Sequence, residues 1–131
     1  MNTLNNFKNW KTLFSSNKNT TNNTTKQEGV VVHFYVPLKM ATQNLCINPN
    51  CFLIDNYEGE KVELLKGENI ATAPQFTAVP AQTAYQFTLH FSALPAQCTG
   101  FDILEDVATE SGLFIPHVKR NASDIYHIHL Q

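Results

Sequence analysis

The chain has 131 residues, with nine Lys and Arg, eleven Asp and Glu, and a formal net charge of −2. This length allows one domain of ordinary size. The cationic residues occur singly and not as the basic stripe that a phosphate backbone requires, so we expect no nucleic-acid partner.

The first predicted element is a short amphipathic helix over residues 4–14. Its apolar side chains recur at spacings of three and four and form one stripe: Leu4, Phe7, Trp10, Leu13 and Phe14. Eleven residues are too few for a helix that is stable alone in water, because nucleation is costly. Something must cover the stripe, and three candidates stay open: the chain's own sheet domain, a groove on a protein partner, or a membrane surface. We favour the partner.

The next segment, residues 15–28, contains no hydrophobic side chain and cannot offset the entropy of ordering. We therefore expect residues 1–28 to be a docking helix with a flexible linker, and residues 29–131 to be the folded domain. The N-terminus lacks the apolar run of a secretory signal, and no stretch approaches the roughly 18 apolar residues of a membrane span. The sequence as given predicts a cytoplasmic protein.

Short strands dominate the pattern after residue 29. They are predicted at residues 30–36, 51–55, 61–65, 84–92, 101–105 and 125–130, with an edge strand near 76–79 and a further piece at 113–115. Phe87, Leu89 and Phe91 alternate with polar residues, which would place three large apolar side chains on one face of a sheet. About seven strands separated by turns indicate an all-β fold, an antiparallel sandwich.

The cysteines leave two interpretations open. Three cysteines, an odd number, fit reduced thiols in a cytosolic protein. Cys46 and Cys51, however, flank a turn-like segment that could bring them close enough for a disulfide in a secreted form.

Several motifs in the second half of the chain occur in an order similar to that in a known family. They are Phe87-Thr88-Leu89-His90-Phe91, Leu94-Pro95, Phe101-Asp102-Ile103-Leu104-Glu105 and Tyr126-His127-Ile128-His129-Leu130, together with residues 52–70. Over about residues 45–131 the chain resembles small immunoglobulin-like domains of Bacteroidetes proteins, a group of largely uncharacterised role. The resemblance implies an immunoglobulin-like β-sandwich and no particular reaction, and it leaves a periplasmic or particle-associated location open.

Histidines offer the first candidate for chemistry. His127 and His129 are two residues apart in a predicted strand, so both imidazoles would leave the same face. Zinc or copper needs further ligands, and the available donors are His33, His90, His117 and Cys98. No compact Cys or His spacing supports such a site, so we expect no cofactor and interpret both residues as solvent-facing histidines.

A long segment, residues 106–123, distinguishes this chain from the domains that it resembles, which usually have a shorter connection there. There Phe114 could be an apolar anchor beside Lys119 and Arg120 in a partner-binding loop. Alternatively, residues 113–115 are simply another core strand.

The preferred interpretation is a non-enzymatic protein-binding or scaffolding domain that docks on a larger assembly through residues 4–14. No nucleophile elbow, Walker loop or dinucleotide fingerprint occurs in the sequence, and we therefore expect no enzymatic activity. Two alternatives remain. One is a histidine-based metal-binding domain or enzyme centred on His127 and His129, and the other is a structural subunit of a secretion or phage particle.

Overall fold

The computed structural model describes residues 29–108 and 112–131. Within them it contains ten β-strands and no helix. The strands are β1 Val30–Val36, β2 Gln43–Ile47, β3 Cys51–Asp55, β4 Lys61–Glu68, β5 Ala71–Thr72, β6 Thr77–Val79, β7 Tyr85–Phe91, β8 Gly100–Glu105, β9 Phe114–Lys119 and β10 Ile125–His129. The predicted helix over residues 4–14 and the predicted linker lie outside the described residues.

Two sheets organise these strands. Seven strands form one sheet in the order β10-β1-β7-β4-β3-β8-β9, and three form a small sheet in the order β5-β2-β6. Most neighbours are antiparallel, but β1 pairs with β10, and β2 with β5, in parallel. The all-β prediction is confirmed. The prediction of about seven antiparallel strands is wrong. The short strands β2 and β5 were not predicted, and the last strand, β10, is parallel to β1.

The large sheet is rolled, so that its two edge strands meet at one end. β9 and β10 are opposite edges in the strand order, yet only residues 120–124 connect them. Five residues span at most about 18 Å. Within this connection the Arg120 amide donates to the Thr99 carbonyl, and the Asp124 carbonyl accepts from the Val31 amide, both at 2.9 Å. The connection therefore joins the two edges across the core.

The large sheet bends at β4, which pairs with β3 on one side and with β7 on the other. The first residues of β4 pair with β3, and its later residues, Leu64 to Glu68, pair with β7. The register shifts between Leu64 and Lys66. A bulge of this kind adds a residue to one strand and bends it, which allows the two halves of the roll to face each other.

The core consists of the inward-facing residues of the rolled sheet. On β1 every second residue from Val30 to Val36 is buried, and on β7 Phe87, Leu89 and Phe91 are buried as the alternation predicted. Phe101 of β8 and Tyr126 of β10 meet edge to face across the core, with 5.0 Å between ring centroids. Each such buried side chain contributes about 1.5–3 kcal/mol, so one continuous core explains the fold.

The predicted hairpin between β3 and β4 is confirmed. Asp55 donates its amide to the Glu60 carbonyl at 2.8 Å and accepts from the Gly59 amide at 2.7 Å. Gly59 has a φ of 79°, a conformation that glycine adopts without strain.

The predicted strand piece at residues 113–115 is corrected. β9 begins at Phe114 and continues through Pro116 to Lys119, four residues beyond the predicted end at residue 115. An edge strand tolerates proline, because one side of its backbone needs no partner in the ladder.

Candidate functional site

A groove of about 410 Å³ opens at the end of the roll opposite to residues 120–124. It lies between β2 of the small sheet and the ends of β1, β7, β9 and β10. We call it the mouth groove. The apolar side chains that line it and keep contact with solvent are Leu45, Ile70, Leu113, Phe114, Ile115 and Leu130.

The mouth groove is a continuation of the core toward solvent. Its base includes Val36, Ile47 and Phe87, which are buried, while most of its rim packs against the core and is only partly buried. Phe114 is 54% exposed. The small sheet has only three short strands, so it covers this end of the roll incompletely and leaves apolar surface in water.

The connection between β1 and β2 extends this apolar surface. Leu38 is 58% exposed and Met40 is 84% exposed, and they flank Lys39, which lines the groove. The Lys39 carbonyl accepts from the Gln82 amide at 2.7 Å, which ties the connection to the segment before β7. Exposed apolar side chains close to an apolar groove are typical of an interaction surface.

Glu105, at the end of β8, fixes the walls of the groove. Its Oε2 accepts from the Asn48 amide at 2.7 Å, and its Oε1 accepts from the Leu113 amide at 3.0 Å. The chain passes very close here, since a Cβ on Gly112 would lie 2.6 Å from the Glu105 carbonyl oxygen. Glu105 therefore holds the turn before β3 and the start of β9 together, and it places a carboxylate in the groove lining.

A second hollow, of about 340 Å³, adjoins the mouth groove. The two share Leu45, Cys46, Glu105 and Gly112 in their linings. Glu105 therefore borders both hollows, and its carboxylate is the acidic group that the two linings share.

The three cysteines of the chain are free, and they differ in access. Cys46 is exposed in the groove wall, whereas Cys51 and Cys98 are buried. The disulfide considered from the sequence is not formed. Burial, with the nearby Glu105 charge, raises the pKa of Cys51 to about 12. Because the thiolate is the reactive form, the raised pKa makes Cys51 unreactive. Cys46 is exposed, so it is the cysteine that reagents in solution can reach.

The residues proposed for a partner-binding loop do not form one surface. Phe114 lies at the mouth groove, whereas Lys119 and Arg120 lie at the other end of β9, about 17 Å away along the strand. Lys119 is exposed.

The Arg120 guanidinium is bound within the fold. It forms two bonds to the Asp124 carboxylate, Nε to Oδ1 at 3.1 Å and Nη2 to Oδ2 at 2.9 Å, and Nη1 donates to the carbonyls of Pro95 and Cys98. The side chains of Arg120 and Asp124 are only 18% and 13% exposed. Tyr126 donates its hydroxyl to Asp124 at 2.8 Å, and burial raises its pKa to about 12. We call these three residues the Arg120 network.

The histidine candidates lie on the outer face of the roll. His127 and His129 are exposed there, as the alternation predicted. The parallel register places His33 beside His127, with ring centroids 5.1 Å apart, and Tyr35 beside His129 at 4.6 Å. The Tyr35 hydroxyl and His127 Nδ1 are 2.8 Å apart.

The other proposed metal donors lie apart from this pair. His90 of β7 is 3.4 Å from Glu68, His117 belongs to β9, and Cys98 is buried. Within residues 29–108 and 112–131, no three His, Cys, Asp or Glu side chains are grouped so that they could hold a metal ion.

The groove wall formed by β2 was not predicted from the sequence. In β2 the residues Gln43, Leu45 and Ile47 are less exposed than Asn44 and Cys46. In the sequence, however, polar and apolar residues do not alternate over this five-residue stretch, so it does not indicate a strand. The stripe residues Leu4, Phe7, Trp10, Leu13 and Phe14 lie outside the described residues.

Comparison with known proteins identifies no relative. No protein-family model matches the chain, and neither a curated protein nor a solved structure matches it. The resemblance to immunoglobulin-like domains of Bacteroidetes proteins stays a prediction. In the part of the chain that the structure describes, no helix has the length and apolar character needed to cross a membrane.

Proposed function

We propose that this chain is a non-enzymatic protein-binding domain that joins a larger assembly. The observation that carries the proposal is the mouth groove, an apolar surface that stays in contact with water at one end of the core. Monomeric domains seldom leave large apolar patches uncovered, and such patches commonly bind other proteins. Covering each 100 Å² of this surface would contribute about 2.5 kcal/mol before the costs of association.

The dimensions of the groove suit a short apolar segment of a protein. Its volume of about 410 Å³ is within the range of roughly 300–1,000 Å³ found for pockets that hold drug-sized ligands. A segment with a few large apolar side chains has this size. Glu105 and Lys39 in the lining would select its orientation through charge.

An immunoglobulin-like sandwich is part of the same proposal. It is supported by two halves of a rolled sheet that face each other across one core, with connections gathered at the two ends. Rigid sandwiches of this kind commonly present their binding surfaces at such ends.

The N-terminal stripe supplies the second contact of the proposed adaptor. A flexible linker of 14 residues, 15–28, has a random-coil reach of roughly 20 Å. The stripe could therefore dock on one surface while the domain contacts another. Residues 29–131 contain five cationic and ten acidic side chains, a net charge of −5, which favours a protein over a nucleic acid as partner.

Recovery of partners from native extract tests the proposal with full-length variants. Phe114→Ser should reduce recovery of a specific partner about 5- to 30-fold, as expected for loss of an interface residue worth 1–2 kcal/mol. Phe76→Ser is the matched control, because Phe76 is 60% exposed, close to the 54% of Phe114, but does not line the groove. Equal recovery with both variants would remove the groove from the proposal.

The N-terminal contact is tested with the double variant Phe7→Ala, Trp10→Ala. It should abolish recovery of the partner, while the free energy of unfolding of the domain falls by no more than about 1.5 kcal/mol. A loss of about 3 kcal/mol or more would show instead that the segment belongs to the core.

A further inference from the structure

We infer that, in the free protein, residues 4–14 dock into the mouth groove of their own chain. This inference rests on the proposed function, because it takes the groove to be a surface for an apolar protein segment. The groove leaves Leu45, Phe114 and Leu130 in contact with water. The stripe from Leu4 to Phe14 is apolar and too short for a stable isolated helix. Each apolar surface would therefore be covered by the other.

The linker has the length to make this contact. Gly29 precedes β1 at the closed end of the roll, next to Phe91, and Val36 at the other end of β1 lines the groove. A seven-residue strand is about 20–24 Å long. Residues 15–28 have a random-coil reach of roughly 20 Å and a fully extended length near 48 Å. The segment can thus lie in the groove without stretching the linker.

Charge favours the same pairing. Residues 1–28 carry four lysines and one glutamate, a net charge of +3, whereas residues 29–131 carry −5. Lys8 and Lys11 lie beside the apolar stripe, and Glu105 presents a carboxylate in the groove lining. Opposite charges in such a partly enclosed site are screened less by salt than charges on an open surface.

The tether favours the chain's own segment over that of a second copy. A short flexible linker produces an effective local concentration near 1 mM, which a second copy at micromolar concentration cannot match. Even a weak contact, with an intrinsic Kd near 0.1 mM, would leave only about one chain in ten open. A partner that binds the stripe or the groove more tightly would open the protein, so the contact would hold both binding surfaces covered until that partner arrives.

The chain contains two probes for this contact. Trp10 is its single tryptophan and belongs to the stripe. Cys46 is an exposed thiol in the groove wall, while Cys51 and Cys98 are buried. In the full-length protein at about 1 μM we expect Trp10 to emit at shorter wavelength than in the urea-unfolded chain. We also expect alkylation of Cys46 by iodoacetamide to be about tenfold slower than in Phe7→Ser.

Matched variants separate docking from general effects. Phe114→Ser should release the segment, moving Trp10 emission to longer wavelength and restoring fast alkylation of Cys46. Asn5→Ser on the polar side of the segment and Phe76→Ser outside the groove should behave like the parent protein. These results together would establish the contact.

Three outcomes would overturn the inference. Trp10 could emit as in the unfolded chain, with Cys46 alkylated equally fast in parent and Phe7→Ser. Protection of Cys46 could grow with protein concentration between about 1 and 100 μM, which would assign the segment to a second copy. Trp10 could respond only to vesicles of anionic lipid, which would assign it to a membrane surface. Because the purified protein is studied without a partner, failure here would leave the partner-recovery test of Phe114→Ser intact.

Discussion

The two ends of the rolled sheet differ in how completely their side chains are paired or covered. At the closed end, a five-residue connection joins the edge strands, and the Arg120 network pairs a partly buried guanidinium with a partly buried carboxylate. At the mouth, only three short strands cover the core, and Phe114 and its neighbours remain in water. The comparison shows where stability and recognition reside in this domain. The closed end holds the roll together, and the mouth is free to bind.

The largest expected effect compares one phenylalanine from each end. Phe101→Ala should lower the free energy of unfolding by about 3–5 kcal/mol, because it empties a fully buried site against Tyr126. Phe114→Ala at the mouth should lower it by no more than about 1.5 kcal/mol, because that ring is mostly exposed and the loss is limited to release of the docked segment. Urea denaturation at constant m-value measures both. Similar losses would mean that the mouth is part of the stabilising core.

The Arg120 network provides the next comparison. Arg120→Ala should lower the free energy of unfolding by about 1–3 kcal/mol, since Asp124 would stay partly buried without its partner and the carbonyls of Pro95 and Cys98 would lose a donor. Lys66→Ala is the control. It removes the ion pair between Lys66 and Glu68, two side chains that are 62% and 54% exposed. Because water screens such a pair, the melting temperature should stay unchanged. Equal values in thermal denaturation would contradict the assigned role of the closed end.

The smallest expected effect comes from a comparison of the buried Cys51 with the exposed Cys46 at alkaline pH. In the unfolded chain the Cys51 thiol titrates near 8.5, and burial raises its pKa in the folded protein to about 12. The stability from this group is complete below about pH 8.5 and falls as pH rises toward 12, because only the unfolded state releases the proton.

Cys51→Ala should therefore flatten the fall in unfolding free energy between about pH 8.5 and 10, by up to about 2 kcal/mol. Cys46→Ala in the exposed groove wall should leave it unchanged. The measurement is urea denaturation at pH 7 and pH 10. An unchanged slope in Cys51→Ala would show that the thiol already ionises in the folded protein.

Much of the fold could be predicted from local patterns. The alternation in β7 and β10 predicted the correct inward-facing side chains, and the hairpin with Gly59 was recognised from its turn residues. These features depend on side-chain period and on backbone freedom at single positions, which neighbours in sequence set. The short strands β2 and β5 were missed, because a few residues contain too little pattern to indicate a strand.

The candidate site could be predicted only in part. Phe114 was identified, but Leu45, Ile70 and Leu130 of the groove were not, since they come from segments far apart in the chain. Arg120 was assigned to a binding loop, because its sequence neighbours do not show that Asp124 and the carbonyls of Pro95 and Cys98 surround it.

The sequence by itself determined that this protein is built from β-strands with one apolar core, because strand period is a local property. It also displayed the amphipathic pattern of residues 4–14. The tertiary structure alone decided that the sheet rolls, that β10 joins β1 in parallel, and that one end is closed by an ion pair while the other stays open. These outcomes depend on contacts between distant segments, and the energy of such contacts is set by burial and geometry that exist only after the chain has folded.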